Sequence, residues 1–262
     1  MRHFKKASIV LLVLAALAAG FYAFYMGPRR VIPILMYHSI SGDNSSTLNV
    51  SPENFERQMA FLKDQGYSVI SLEEAVESIK KGRRFIPGTV VLTFDDGYRD
   101  NFLNAFPVVS RYGMPATIFL ITDYVGRNPD YMTWDHVRLM IKNGIDFGGH
   151  TRTNVYLPSV NDPEKLEWEI AGCREDIRVN TGGEADHFCY PTGGFNAKVK
   201  EAVRSAGYKA ACTTNRGKDR LNRDVYELKR VKVTNSDTTK PLHFRAKLSG
   251  FYNVFRSTRA GD

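Results

Sequence analysis

Two adjacent carboxylates, Asp95 and Asp96, stand in the stretch LTFDDGY at residues 92–98. Carboxylates held this close do not ionise as independent acids, because each charge opposes the other. A bound cation resolves the conflict. One carboxylate holds the cation, and the other, kept ionised by its charge, takes a proton from water that the cation acidifies. On that reading Asp96 is the ligand and Asp95 the base. A competing reading is a turn in which the Asp side chains cap backbone N–H groups and Gly97 supplies an unusual dihedral. The apolar run Val90, Val91 and Leu92 marks a strand that ends at the pair.

Other candidates also end strand-like runs. His150 follows Gly148 and Gly149, and with Asp96 it makes a mixed nitrogen and oxygen donor set suited to zinc or its first-row neighbours. Asn154, four residues on, lies where a helical turn would bring its amide oxygen to the same face, as a neutral and weaker ligand than imidazole. His38 ends the run that starts at Val31. Pro191 to Gly194 form a turn after the run 187–190. His187 is a conceivable substitute imidazole, although it precedes the expected rim. Arg230, in LKRVKV, either orients a carboxylate near the site or is an ordinary surface or barrel-bottom charge. Trp134 and Trp168 fit core positions on helices, with stacking on a sugar as the alternative. His136 fits an exposed helix position, and His3 and His243 lie outside the motifs.

The elements that must position these residues alternate. Strands are expected over 31–37, 67–71, 89–94, 116–121, 146–149, 187–190, 209–213 and 228–233. Helices are expected over 52–65, 72–81, up to 112, 133–142, 163–180 and 197–206. Such alternation implies an α/β fold of parallel strands with crossover helices. Seven or eight units in one domain suit a barrel, whose chemistry sits at the C-terminal ends of the strands. A doubly wound sheet is the alternative, and it gathers ligands at the same ends. Either way, His38, Asp95, Asp96, His150 and the turn at Pro191 converge.

The ends of the chain differ from its middle. Arg2, Lys5 and Lys6 precede an uncharged apolar run from Ala7 to about Met26, broken by Pro28, Arg29 and Arg30. Residues 1–30 therefore read as an N-terminal transmembrane or signal helix: an uncleaved anchor, or a signal cut near Ala16-Leu17-Ala18. The basic start places the folded domain outside the membrane, in the periplasm or the exterior, with secretion after cleavage as the alternative. The net charge of +8 is concentrated at the two ends. The near-neutral middle argues against a nucleic-acid face. Residues 240–262 read as a basic, aromatic tail, either loosely docked or in contact with lipid or polymer, after a domain over 31–239. The odd cysteine count, Cys173, Cys189 and Cys212, excludes a complete intrachain disulfide framework. Buried free thiols are expected, with a Cys189–Cys212 bridge as the oxidised alternative.

Taken in order, LTFDDGY, GGHTRTN and FCYPTGGFN, with ILMYHSI near the start and MPATIFL after the first motif, resemble the polysaccharide deacetylase family. This is the NodB-homology fold of carbohydrate esterase family 4, and the resemblance covers about residues 31–235. The MYH start is similar to the branch that deacetylates poly-N-acetylglucosamine, in which the motif order is circularly permuted. The resemblance implies a distorted (β/α)7 barrel and a divalent metal, most often zinc. The implied reaction is hydrolysis of N-acetyl groups on an amino-sugar polysaccharide. It assigns Asp95 as general base, Asp96 and His150 as metal ligands, and His38 as the acid for the leaving amine. The Thr192 backbone N–H is a donor to the oxyanion, Arg230 a supporting residue, and Pro191, Gly193 and Tyr98 candidate substrate-binding residues. Two positions depart from the pattern. Asn154 stands where the family has a second histidine, and Thr192 where it usually has an aromatic ring. They leave open an impaired relative that binds glycan without turnover. An O-acetyl ester on a cell-surface glycan, or an N-acyl group on a lipid-linked sugar, is a further alternative target.

Overall fold

The computed structural model describes residues 2–22, 31–43, 46–214 and 216–253. In chain order the elements are α1 (Arg2–Phe21), β1 (Ile34–Tyr37), α2 (Pro52–Asp64), β2 (Ser68–Val69), α3 (Leu72–Lys80), β3 (Thr89–Phe94), α4 (Phe106–Tyr112), β4 (Ala116–Leu120), α5 (Trp134–Lys142) and β5 (Ile145–Gly149). There follow α6 (Pro163–Thr181), β6 (His187–Cys189), α7 (Ala197–Ser205), β7 (Ala210–Thr213), β8 (Leu228–Lys229), β9 (Val231–Lys232), α8 (Ser236–Thr239) and α9 (Pro241–Lys247). Local chemistry sets many helix starts. Ser51, Ser71, Asp162 and Asn196 each cap a helix by accepting a backbone N–H, and Pro52 and Pro163 sit where a missing N–H costs nothing. Gly113 and Gly182 end α4 and α6 in the left-handed conformation.

The strands pair in parallel, in the order β8-β7-β6-β5-β4-β3-β1-β9, with β2 beside β3. β8 and β9 are two halves of one segment interrupted only at Arg230. Leu228 and Lys229 pair with Cys212 and Thr213 of β7, while Val231 and Lys232 pair with Leu35 and Met36 of β1. Both ends of the strand order therefore meet in Leu228–Lys232, and a seven-stranded barrel closes there. The doubly wound alternative would leave two open edges and is excluded.

Side chains alternate across each strand. Ile34, Val91, Phe119, Cys189, Cys212 and Leu228 pack in one cluster inside the barrel, which Leu72, Ala75 and Val76 of α3 close at the N-terminal end. The opposite set, including Tyr37, Leu92, Phe94, Leu120 and Tyr190, packs beneath the helices. Both faces are covered, so the strands read as continuous apolar runs. Burial of each large apolar side chain contributes about 1.5–3 kcal/mol.

The two ends of the chain are described in part. α1 has Arg2, Lys5 and Lys6 in its first turns, and among the described residues no helix is long and apolar enough to cross a membrane. The continuation of the apolar run over 23–26 lies outside the described residues. At the other end, α9 is docked: Phe244 and Leu248 are buried, and Lys247 Nζ lies 2.7 Å from a buried Asp237 carboxylate oxygen. Residues 254–262 lie outside the described residues.

Candidate active site

Strand alternation carries Val91 and Thr93 of β3 to the barrel interior, and Asp95 follows them at the C-terminal rim. Its side chain is buried, and its two oxygens each lie 2.6 Å from a guanidinium nitrogen of Arg230. Arg230 is itself 2% exposed. Its remaining donors reach the Thr213 carbonyl at 3.2 Å, Thr93 Oγ1 at 3.1 Å and Cys189 Sγ at 3.0 Å. Arg230 thus supports the site and is neither a surface nor a barrel-bottom charge. Burial alone would push the Asp95 carboxyl up, but the Arg230 guanidinium outweighs it and holds the group well below the usual carboxylate range. The pair costs desolvation on both sides, which such fork-to-fork geometry offsets.

Strict alternation would send Asp96 outward. Instead Asp96 has φ 72° and Gly97 φ 78°, so the chain turns back at once and both carboxylates stay on the rim. A Cβ on Gly97 would also lie 2.6 Å from Leu120 Cδ2. Asp96 Oδ1 comes within 3.4 Å of His150 Nε2. His150 is placed by β5, whose glycines let neighbours approach. A Cβ on Gly148 would meet the His187 carbonyl at 2.4 Å, and one on Gly149 the Tyr208 hydroxyl at 2.3 Å. His150 Nδ1 lies 2.7 Å from the Cys189 carbonyl. A carbonyl only accepts, so Nδ1 carries the proton and the Nε2 lone pair faces Asp96. Two ligand atoms about 2.0–2.1 Å from one tetrahedral ion stand about 3.3 Å apart, so Asp96 and His150 fit a first-row divalent cation. Asp95, His150 and Cys189 also bring ligand atoms within 4.8 Å of one another. That trio is the poorer site. Both Asp95 oxygens are engaged by Arg230, and burial pushes the Cys189 thiol up, against ionisation.

His38 directly follows β1, and its Nε2 lies 3.7 Å from Asp95 Oδ2. Burial lowers its pKa, while Asp95 and Asp96 oppose that shift. At the turn after β6, Thr192 is exposed with φ 53°. The N–H groups of Gly193 and Gly194 are bonded inside the turn, to the Tyr190 and Pro191 carbonyls at 2.8 and 3.0 Å. Pro191 and Gly193 are buried beneath it, and a Cβ on Gly193 would meet Thr214 Oγ1 at 2.3 Å.

Asn154 departs from expectation. Residues 151–156 form no helical turn, and Thr151 and Asn154 both have positive φ, 63° and 62°. Asn154 is held through its backbone N–H, 2.9 Å from Thr151 Oγ1. Its side chain is exposed and makes no hydrogen bond among the described residues. The loop is organised by a residue that sequence reasoning missed. Buried Glu169 of α6 accepts from the N–H groups of Arg152 and Thr153 at 3.1 and 3.0 Å and from Thr153 Oγ1 at 2.6 Å. The signal that could have found it is its spacing: Glu169 falls on the buried apolar face of α6 with Leu166, Ile170 and Cys173, where the surface glutamates of the helix do not.

An aromatic group stands beside Asp96. Tyr98 stacks on Tyr131 at 5.0 Å, and Tyr124 meets Tyr131 edge-on at 4.8 Å. Burial and then the charge of Asp96 push the Tyr98 hydroxyl up. Tyr131 and Tyr124 come from a loop without periodicity and were not foreseen. His187 is not brought to the site. It faces the opposite end of the barrel, with Nε2 3.1 Å from Glu73 Oε2 of α3, because it precedes Cys189 by a full alternation. Trp134 and Trp168 line a cavity of about 300 Å³ with Arg152 and Asp176, away from the paired carboxylates. The Trp168 ring is flanked by Lys165 and Arg152 at 3.7 and 4.7 Å. His136 completes a capping box with Thr133, and His243 binds Asp237 through Nδ1 at 2.8 Å. The side chain of His3 lies outside the described residues. Cys189 and Cys212 are register partners on β6 and β7, and all three thiols are free and buried.

The family model for polysaccharide deacetylase matches residues 82–211. YxkH of Bacillus subtilis (strain 168), whose name refers to the polysaccharide deacetylases, is 34% identical over 203 residues, covering 78% of this chain and 71% of its own. The chain belongs to the polysaccharide deacetylase family. It is a hydrolase of carbon–nitrogen bonds other than peptide bonds. The poly-beta-1,6-N-acetyl-D-glucosamine N-deacetylase of Staphylococcus aureus (strain MRSA252) is 26% identical, with 76% and 73% of the two chains covered. Among solved structures, the Streptococcus pyogenes deacetylase PplD in complex with acetate superposes with a TM-score of 0.75 at 26% identity, covering 82% of this chain and 97% of that one. IcaB from Ammonifex degensii gives 0.70 at 26% identity, with 82% and 96% covered. The matched family segment contains Asp95, Asp96 and His150 of this deacetylase. His38 and Arg230 lie outside it, delivered by the two strands on either side of the closing seam.

Proposed function

We propose that this protein hydrolyses N-acetyl groups of an amino-sugar polysaccharide at the cell envelope, with a divalent metal, zinc or a first-row neighbour. The observation that carries the reading is the pairing on one rim of an Arg230-held Asp95 with the facing ligand atoms of Asp96 and His150. Asp96 and His150 would hold the cation, and the exposed Asn154 side chain would have to turn toward them to complete the set; the cation would supply acidified water and polarise the amide carbonyl. Asp95 removes the proton from the attacking water, and Arg230 keeps it ionised to do so. The Thr192 N–H donates to the oxyanion as the carbonyl becomes tetrahedral. His38 donates a proton to the departing nitrogen. Its 3.7 Å separation from Asp95 lets the proton taken from water pass to the leaving amine after a small approach. Pro191 and Gly193, buried beneath the turn, would shape the backbone that meets substrate, while the Tyr98–Tyr131 stack offers a ring to the sugar in place of one at Thr192.

The cell-envelope assignment is supported by α1, whose apolar side chains from Val10 to Leu14 are more than half exposed and have the character of a lipid-facing or signal segment. The basic residues of its first turns favour a domain outside the membrane, anchored or released after cleavage.

The test is acetate release from N-acetylglucosamine oligosaccharides by the wild type and by Asp95→Asn. Turnover should fall by about 10²–10⁴, with metal content retained; undiminished turnover overturns the assignment. The exposed, unbonded Asn154 side chain favours one second reading, an impaired site that binds glycan. Its sign would be glycan binding by a metal-free natural protein.

A further inference from the structure

β1 pairs with β3 only as far as Tyr37, whose carbonyl accepts from the Asp95 N–H at 3.0 Å. The next residues, His38 to Ile40, have no strand partner, yet one of them carries the acid. The Ser39 carbonyl accepts from the Val50 N–H at 3.1 Å, and the other backbone groups that are held are held from one place. Asn101 Nδ2 donates to the His38 carbonyl at 2.8 Å. Asp100 accepts from the Ile40 N–H at 2.9 Å and from Ser39 Oγ at 2.5 Å. Asn104 Nδ2 donates to the Ile40 carbonyl at 2.7 Å. Asn101 also donates to Asp100 Oδ1 at 3.0 Å, which ties the clamp together, and it is fully buried. Asn101 and Asn104 lie on a wide, π-helical turn, Asn101–Ala105, that precedes α4, and Asp100 stands just before it. Such turns recur at functional sites.

We infer that Asn101, with Asp100 and Asn104, is a positioning residue that fixes His38 over the scissile bond. The inference rests on the reading of His38 as the acid. One short segment, 95 to 104, then supplies the base, a metal ligand and the clamp, so the distance between acid and base is set within a single stretch of chain. Groups misplaced by about 1 Å lose on the order of a hundredfold in rate.

The test compares two substrates. An N-acetylglucosamine oligosaccharide needs its leaving amine protonated, whereas 4-nitrophenyl acetate releases a phenolate that needs no proton. In Asn101→Ala, kcat on the amide should fall about tenfold to a hundredfold, with KM and ester turnover within about twofold. In a His38→Ala background, Asn101→Ala should cost nothing further, because both changes remove one function. Asn104→Ala, at a less buried position, should show the same substrate pattern with a smaller loss and serves where Asn101→Ala folds poorly. Equal losses on both substrates, or additive losses in the double variant, would reduce the clamp to a structural role and overturn the inference. Full amide activity in Asn101→Ala overturns it alone. Full amide activity in His38→Ala overturns the acid assignment and the inference with it.

Discussion

Asn154 is the residue on which the proposed metal chemistry turns. Its amide oxygen is a weaker donor than imidazole, and its exposed side chain makes no hydrogen bond among the described residues. Replacing it with His should raise affinity for zinc by at least about tenfold, read by elemental analysis after dialysis against graded chelator. No gain would mean that position 154 does not reach the ion. At this scale much of the site was legible in the sequence. Asp95, Asp96, His38 and His150 each end an apolar run, and strand ends in an α/β fold share a rim. Arg230 was only half legible. Its partner lies 135 positions away, and nothing local distinguishes a strand arginine that enters a barrel from one that faces water. The roles of Asn101 and Glu169 were not legible, because both act on backbone groups that a sequence does not display, although spacing puts Glu169 on the buried face of α6.

β5 shows how an element is shaped by what it must leave room for. Gly148 does not have positive φ; it is required because a Cβ there would meet the His187 carbonyl at 2.4 Å and the Phe119 ring at 2.7 Å. Gly148→Ala should therefore separate β5 from β6 and destabilise the protein by about 1–3 kcal/mol, measured by denaturant unfolding. Activity should fall too, since His150 follows at the end of the same strand and takes its tautomer from the Cys189 carbonyl on β6. The strands and most helices could be read from periodicity and caps. The wide turn at Asn101–Ala105 could not, since a helical pattern does not show whether a turn holds one residue more. The split of the last strand at Arg230 was likewise invisible, because both halves share one alternating pattern.

The whole molecule carries its chemistry at one end and a buried, neutral histidine at the other. Burial lowers His187 to about 4; Asp186 opposes the shift, and Lys209 and Lys80 add to it. Glu73 stands 3.1 Å away to meet an arriving proton. An unfolded histidine titrates near 6.5 and binds its proton first, so this contribution to stability is full above about pH 6.5 and is lost as pH falls toward 4, to a limit of about 3 kcal/mol. In His187→Gln the stability curve over that interval should flatten; an unchanged slope would assign the acid sensitivity elsewhere. Closure of the barrel was an expectation of the strand–helix alternation and of the family resemblance alike, and its manner came from the structure: Leu228–Lys232 joins β7 to β1 through Arg230. That join has a consequence in time. A ribosome delivers the paired aspartates and His150 long before it delivers Arg230. Until the seam is sealed, the Asp95 carboxylate, the proposed base, lacks its Arg230 counter-ion and the ring has a gap. Completion of the wall and readiness for catalysis are therefore one event, so a chain cut short before residue 228 is born inert.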